Sequence, residues 1–212
     1  MASSTPFSTN IGPCHITYGG VHVGDTKGGT QLVVEDAVVN TVKDKTGNTP
    51  GAVNASIYTR DVYTNFQMHV EYRIPENIDY TYLWRGNSGV KIFGCYEVQI
   101  IDSYKNPMKP VQSCGAIYSN CPPLVNASKK PGAWQSFDIL FHAPTVVNGE
   151  VQARAKITVL HNGVLVQDGS MPPPYPDKPE NRVKNCGDVE LQSHNDHSAC
   201  ISFRNVWIRR LF

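Results

Sequence analysis

Ala155-Lys-Ile-Thr-Val-Leu160, then His161-Asn162-Gly163, then Val164-Leu-Val-Gln167 reads as two strands closed by a tight turn. Asn-Gly supplies the positive φ angles that a two-residue hairpin turn needs. Working outward, the same period of two recurs. In Phe66-Gln-Met-His-Val-Glu-Tyr-Arg73, Phe66, Met68, Val70 and Tyr72 share one face, and Gln67, His69, Glu71 and Arg73 the other. Further strands are expected over Asn87–Phe93, Tyr96–Ser103, Trp134–Phe141, Val189–His194 and Ile201–Arg209. In the last of these, the apolar order of Phe203-Arg-Asn-Val-Trp207 breaks step, which predicts a bulge. The prolines of Met171–Pro176 exclude a central strand there. Val33-Val34 and Ala37–Val42 read as strands around an acidic turn, and Gly19–Gly29 as loop. Long helical periodicity is absent. Many short antiparallel strands with one polar face imply an all-β fold of two packed sheets, a jelly-roll-type sandwich.

The chain has 212 residues, 40% of them hydrophobic, which suits a single domain over 1–212 with a substantial core. Its formal charge of +1 gives no global attraction to nucleic acid. No stretch approaches the roughly eighteen apolar residues of a membrane span. The first residues lack a basic and then apolar leader, so the chain is expected either to be cytoplasmic or to start after a removed leader. Oligomeric state is not legible. Of six cysteines, Cys114 and Cys121 flank one short segment and Cys186 and Cys200 another, and either pair could be bridged or free.

One strand carries a polar row. Tyr96–Ser103 contains Glu97-x-Gln99-x-x-Asp102. Strict alternation puts Glu97 and Gln99 on one face and Asp102 on the other, whereas a one-residue bulge after Gln99 would return Asp102 to their side. The spacing is similar to the Glu-x-Asp-x-x-Glu row of laminarinase-type glycosidases. Paired carboxylates at fixed separation can cleave a glycosidic bond as acid and nucleophile, or acid and base. Here the middle acid is glutamine.

Several blocks occur together in a fixed order: Gly86-Asn-Ser-Gly-Val-Lys91, Tyr96–Ser103, Cys114-Gly-Ala-Ile-Tyr118, Pro122-Pro-Leu-Val-Asn126, Pro131-Gly-Ala-Trp134 with Phe137-Asp138, Val159–Val166, Leu191-Gln-Ser-His194 and Phe203–Ile208. Together they resemble the 3-keto-disaccharide hydrolase family, a concanavalin-like jelly-roll family, from about residue 60 to 212. Residues 1–55 carry none of these blocks and lack the family's Phe-Asn-Gly-Lys-Asp-Leu-like opening, so they join the domain by elimination.

The resemblance implies an enzyme that cleaves glycosides already oxidised at C3, with a carbohydrate as its partner. A C3 ketone acidifies the C2–H, so a base can remove that proton and the C1 substituent can leave by elimination. Water addition then completes net hydrolysis. Such a site needs a base near C2, a cation or donor at the C3 oxygen and an acid at the glycosidic oxygen. Gln99 in place of a second acid fits this route better than nucleophilic attack. The expected catalytic residues are Glu97 or His194 as base, Lys91 or Arg73 as charge stabiliser, and Asp102 as acid or metal ligand. Glu71, Arg73, Asn87, Gln99, Tyr118 and Gln192 are expected to bind substrate, if their strand faces form one surface.

Trp84, Tyr82 and Tyr104 are candidates for the cleft mouth, where aromatic faces stack on rings. A divalent ion would help to form an enolate, and Glu97, His194, Asp196 and His197 could contribute to its shell, although their spacing matches no standard site. No organic cofactor is expected. Family habit implies a periplasmic or extracellular location. Two other readings use the same surface: a carbohydrate-binding module without catalysis, and a glycosidase acting on unoxidised glycans.

Overall fold

The computed structural model describes residues 56–59, 61–171, 183–192, 194 and 201–211, and the backbone of five short N-terminal strands. Those five are β1 (Thr5–Pro6), β2 (Ile16–Tyr18), β3 (Val21–Val23), β4 (Val33–Glu35) and β5 (Val38–Asn40). They are followed by β6 (Ile57–Tyr58), β7 (Phe66–Arg73), β8 (Ser88–Ile92), β9 (Tyr96–Ile100), β10 (Trp134–His142), β11 (Thr145–Val147), β12 (Glu150–Ala153), β13 (Lys156–His161), β14 (Val164–Ser170), β15 (Val189–Leu191) and β16 (Ser202–Arg210).

Two antiparallel sheets face each other. The larger runs β14-β13-β10-β7-β16-β5-β4, with β1 added on β16, and the smaller runs β6-β15-β8-β9. β11 and β12 form one separate ribbon and β2 and β3 another. The strand pairing of Val21–Val23 with Ile16–Tyr18 corrects the expectation of loop over Gly19–Gly29. The hairpin β13–β14 turns at Asn162 (φ 54°) and Gly163 (φ 80°), as Asn-Gly dictates. The bulge in β16 is present: the register on β7 shifts between Arg204 and Trp207, around Asn205 at φ 48°. The prolines of residues 172–182 lie outside the described residues.

The alternation of β7 appears directly as burial, with Phe66, Met68, Val70 and Tyr72 inward. Phe137, Ile139 and Phe141 of β10 and Ile157 and Val159 of β13 continue that inner face. Val90, Ile92, Val98, Ile100, Val189 and Leu191 line the facing sheet. Phe93, in the β8–β9 turn at φ 58°, packs its ring on Phe66 at 6.3 Å and on Phe141 at 5.3 Å, joining the two layers. Each such fully buried phenylalanine contributes about 1.5–3 kcal/mol. Inside this core, His161 Nε2 lies 2.8 Å from Tyr72 Oη and 3.1 Å from Gln135 Oε1, which accepts from it, and burial holds the imidazole neutral, its pKa pushed down to about 4. Cys114 and Cys121 are both free thiols, and Cys114 Sγ lies 3.1 Å from Tyr72 Oη, so no bridge joins the pair.

Candidate active site on the small sheet

Antiparallel register builds one polar rung across the outer face of the small sheet. Glu97 of β9 is opposite Lys91 of β8, Lys91 is opposite Glu190 of β15, and Glu190 is opposite Tyr58 of β6. On the far side of β9, Val98 and Ile117 form an antiparallel bridge, and the Tyr118 N–H donates to Glu97 O at 3.0 Å. That sets Tyr118 alongside Glu97. The next rung pairs Gln99 with Gly89, whose carbonyl accepts from the Gln192 N–H at 2.9 Å.

Glu97 is the centre of this arrangement. Oriented by their partners, the Gln99 and Gln192 carboxamides both donate to Glu97 Oε1, at 3.0 and 3.3 Å, while the Gln192 oxygen accepts from Lys91 Nζ at 3.0 Å. One carboxyl oxygen is therefore held by two amides, and no described residue donates to the other, which can take or give a proton. In that orientation the Gln99 nitrogen also donates to Ser88 O at 3.1 Å, and its oxygen faces the Asn87 side chain at 3.3 Å. Burial, the largest cause, pushes the Glu97 pKa up; Lys91 and His194 pull it down, Glu190 pushes it up, and the balance lies at about 7. A carboxylate in that range can exchange protons at neutral pH, as a general base or acid must. Burial and the neighbouring Glu190 push the Tyr58 hydroxyl up to about 12, so it is a neutral donor on this face.

Of the residues expected from sequence, Lys91, Glu97, Gln99, Asn87, Gln192, His194 and Tyr118 come together on or beside this face. Glu71 and Arg73 do not. They lie on β7 in the other sheet, so the expectation of one shared surface does not hold for them. There Glu71 accepts from Arg204 Nε at 2.6 Å and Asn205 Nδ2 at 2.9 Å, and Arg73 and Arg204 both stack on Trp134. Burial raises the Glu71 pKa, but the hydrogen bonds from Asn205 and Arg204 outweigh it and hold the group below its ordinary value.

Asp102 is also elsewhere. The pairing of β9 with β8 is regular from Tyr96 to Ile100, so the bulge that would have turned Asp102 toward Glu97 is absent from that stretch. Asp102 is 1% exposed and accepts from Arg85 Nε at 2.7 Å. Gly89, Glu190 and Tyr58 were not anticipated. The period-two pattern of Val189-Glu190-Leu191 marks Glu190 as outward, but only the register places it beside Lys91. Among the described residues, no group of three or more His, Cys, Asp and Glu side chains is arranged to hold a metal ion. Asp196 and His197 lie outside the described residues.

The sequence pattern of the 3-keto-alpha-glucoside-1,2-lyase-like domain matches residues 18–209, extending the resemblance toward the N-terminus. No curated protein matches the chain. A crystal structure of a Parabacteroides distasonis protein assigned as a glycosyl hydrolase is 37% identical, with a TM-score of 0.74 over 85% of this chain and 75% of that one. A second protein of the same assignment and organism is 26% identical, with a TM-score of 0.62 over 85% and 90% of the two chains. A third, 23% identical with a TM-score of 0.63 over 89% and 86%, shares the fold. With nearly the whole chain matched, this jelly-roll protein belongs to the 3-keto-alpha-glucoside-1,2-lyase-like domain family, a group of carbohydrate-active, glycosyl-hydrolase-like proteins.

Proposed function

We propose that the protein cleaves 3-keto-glycosides by elimination across C1–C2, followed by hydration. The observation that carries this reading is the Glu97 carboxyl, with its pKa near 7 and an ammonium group directly opposite in register, while Glu190, the other carboxylate of the rung, lies on the far side of that ammonium. Gln99 stands where a retaining glycosidase would carry another acid, and the side chain opposite it is a glycine's hydrogen. Family membership supports the same substrate class.

In this mechanism the free oxygen of Glu97 takes the C2 proton. The electron pair forms the enolate of the C3 ketone, whose oxygen is stabilised by the Lys91 ammonium. The enolate then expels the C1 substituent, and the bonding pair leaves with the glycosidic oxygen, which takes a proton from His194. Water adds to C1 of the enone and gives its proton to His194, and return of the proton from Glu97 to C2 completes net hydrolysis. Gln99 and Gln192 hold the reacting carboxyl in place throughout.

Incubation with a 3-keto-glucoside and with its unoxidised parent tests the proposal. Release of aglycone from the keto sugar alone is expected, and its loss in Glu97→Gln. No release from the keto sugar, with and without added divalent metals, would exclude it.

A further inference from the structure

Asp102 and Arg85 have a different task from the polar rung. Arg85 is 8% exposed, and besides its bond to Asp102 it donates through Nη1 to Tyr80 O at 3.2 Å and Tyr82 O at 3.3 Å. The Asp102 N–H donates to Arg85 O at 3.1 Å, and Asp102 Oδ1 accepts from the Tyr104 N–H at 3.0 Å. Asn106 Nδ2 donates to Leu83 O at 3.0 Å and Asp102 O at 2.7 Å. The loop entering β8 and the loop leaving β9 are thus tied together by a buried ion pair and a mesh of hydrogen bonds.

This pair of loops exposes large apolar side chains. Leu83 is 42% exposed and Tyr104 40%. Trp84, next to Leu83 in the chain, meets the ring of Tyr118 edge-on at 6.5 Å. Tyr118 in turn stands alongside Glu97 through its backbone bond. The Trp84–Tyr118 contact therefore joins an apolar rim to the polar rung. The polar groups beside these side chains are already engaged: Asp102 with Arg85 and the Tyr104 N–H, the Asn106 amide with Leu83 O and Asp102 O, and Lys105 over the Tyr104 ring at 5.5 Å.

We infer that this rim is the leaving-group subsite and that it takes a flat aromatic aglycone. A second sugar would bring hydroxyl groups that need partners on desolvation, and the rim offers few. An aryl ring needs faces and edges to pack on, which indole, phenol and leucine supply. The inference rests on the proposed cleavage at Glu97 for which side of the bond leaves, but binding at the rim can be measured without turnover.

The experiment has a kinetic and a binding arm. The first compares phenyl and methyl 3-keto-glucosides, in both anomers, with wild type, Trp84→Ala and the exposed Leu83→Ser, which guards against a folding defect at Trp84. Comparing ratios between variants cancels the intrinsic reactivity of the phenolate. Trp84→Ala is expected to lower the phenyl-to-methyl ratio of kcat/KM about tenfold, the worth of one aromatic contact, and Leu83→Ser to lower it less. An unchanged ratio in both variants overturns the inference. The second arm titrates phenyl and methyl glucosides onto Glu97→Gln. Phenyl binding that weakens when Leu83→Ser is added supports the subsite, even if wild type cleaves no keto sugar and the elimination reading falls. Equal binding of the two glucosides in every variant removes the subsite.

Discussion

The side chain of Glu97 lies flat across Gly89, two residues along β8 from its cross-strand partner Lys91. A Cβ built on Gly89 would collide with Glu97 Oε1 and stand 2.8 Å from Cγ and 2.9 Å from Cδ. Glycine is required at 89 by this overlay, because its φ is not in the left-handed region. The first prediction follows. In Gly89→Ala the backbone can stay as it is, and the flexible Glu97 side chain swings aside. The fold should survive with a change in stability of no more than about 1 kcal/mol. Activity should fall by about a hundredfold, the usual result of misplacing a reacting group by an ångström. Melting temperature and kcat measured on the same preparation check this. Loss of both together would mean that Gly89 serves packing instead.

The raised pKa of Glu97 is also a statement about stability. A carboxyl whose folded pKa of about 7 exceeds its unfolded value near 4.5 binds its proton more tightly when folded. Its contribution is therefore full below pH 4.5 and is lost as pH rises to about 7. Glu97→Gln removes the titration and keeps an oxygen for Gln99 and Gln192. The variant should match wild type at pH 4.5 and exceed it above pH 7, by up to about 3 kcal/mol. Urea unfolding at the two pH values measures this. A wild type that is the more stable of the two at pH 8 would show that Glu97 is not held near neutrality.

Much of the fold was readable because it rests on local chemistry: the alternation of Phe66–Arg73, the Asn162-Gly163 turn and the broken step at Arg204–Trp207. The gathering of Lys91, Glu97 and Gln99 was equally local, since β8 and β9 are consecutive and their faces follow from counting residues. Glu71 and Arg73 show where counting stops. Their face was read correctly, but β7 pairs with β10 and β16, far away in sequence, and that pairing puts them in the other sheet. Period two says which side of a strand a residue occupies, and only non-local pairing says which sheet. Glu190 was missed for the same reason.

Gln192 separates two charges that the register would otherwise bring together. Among the described residues Lys91 makes no ion pair with Glu97 within 4.0 Å, and the Gln192 carboxamide instead accepts from one and donates to the other. Removing it has two opposed effects. Loss of a long amide hydrogen bond raises the Glu97 pKa slightly. Closure of Lys91 onto the carboxylate lowers it more, since a unit-charge attraction at an effective dielectric near 20 grows from about 3 kcal/mol at 6 Å to about 5 kcal/mol at 3.5 Å. Gln192→Leu should therefore shift the acid limb of kcat/KM downward by about one pH unit. A limb that stays in place, or moves up, would assign Gln192 to substrate contact alone.

Asp102 distinguishes an anchor from an acid. Sequence spacing offered it as a partner of Glu97, yet Ile100 and Ile101 are both buried and the chain leaves the sheet before Asp102 is reached. If it were the acid, Asp102→Asn would keep stability and lose activity. As the counter-ion of Arg85 it should behave otherwise. Asp102→Ala leaves a buried guanidinium with backbone carbonyls alone, a defect that costs about 3–5 kcal/mol. Replacing both residues, as Asp102→Ala with Arg85→Met, removes the stranded charge and should cost less than the sum of the single changes, with a coupling of about 1–3 kcal/mol. Unfolding free energies of the four proteins close this cycle. The same loosening frees Leu83, Trp84 and Tyr104, so activity on an aryl substrate should decline with the melting temperature instead of independently of it. Additive costs, or activity lost at wild-type stability, would return Asp102 to the chemistry.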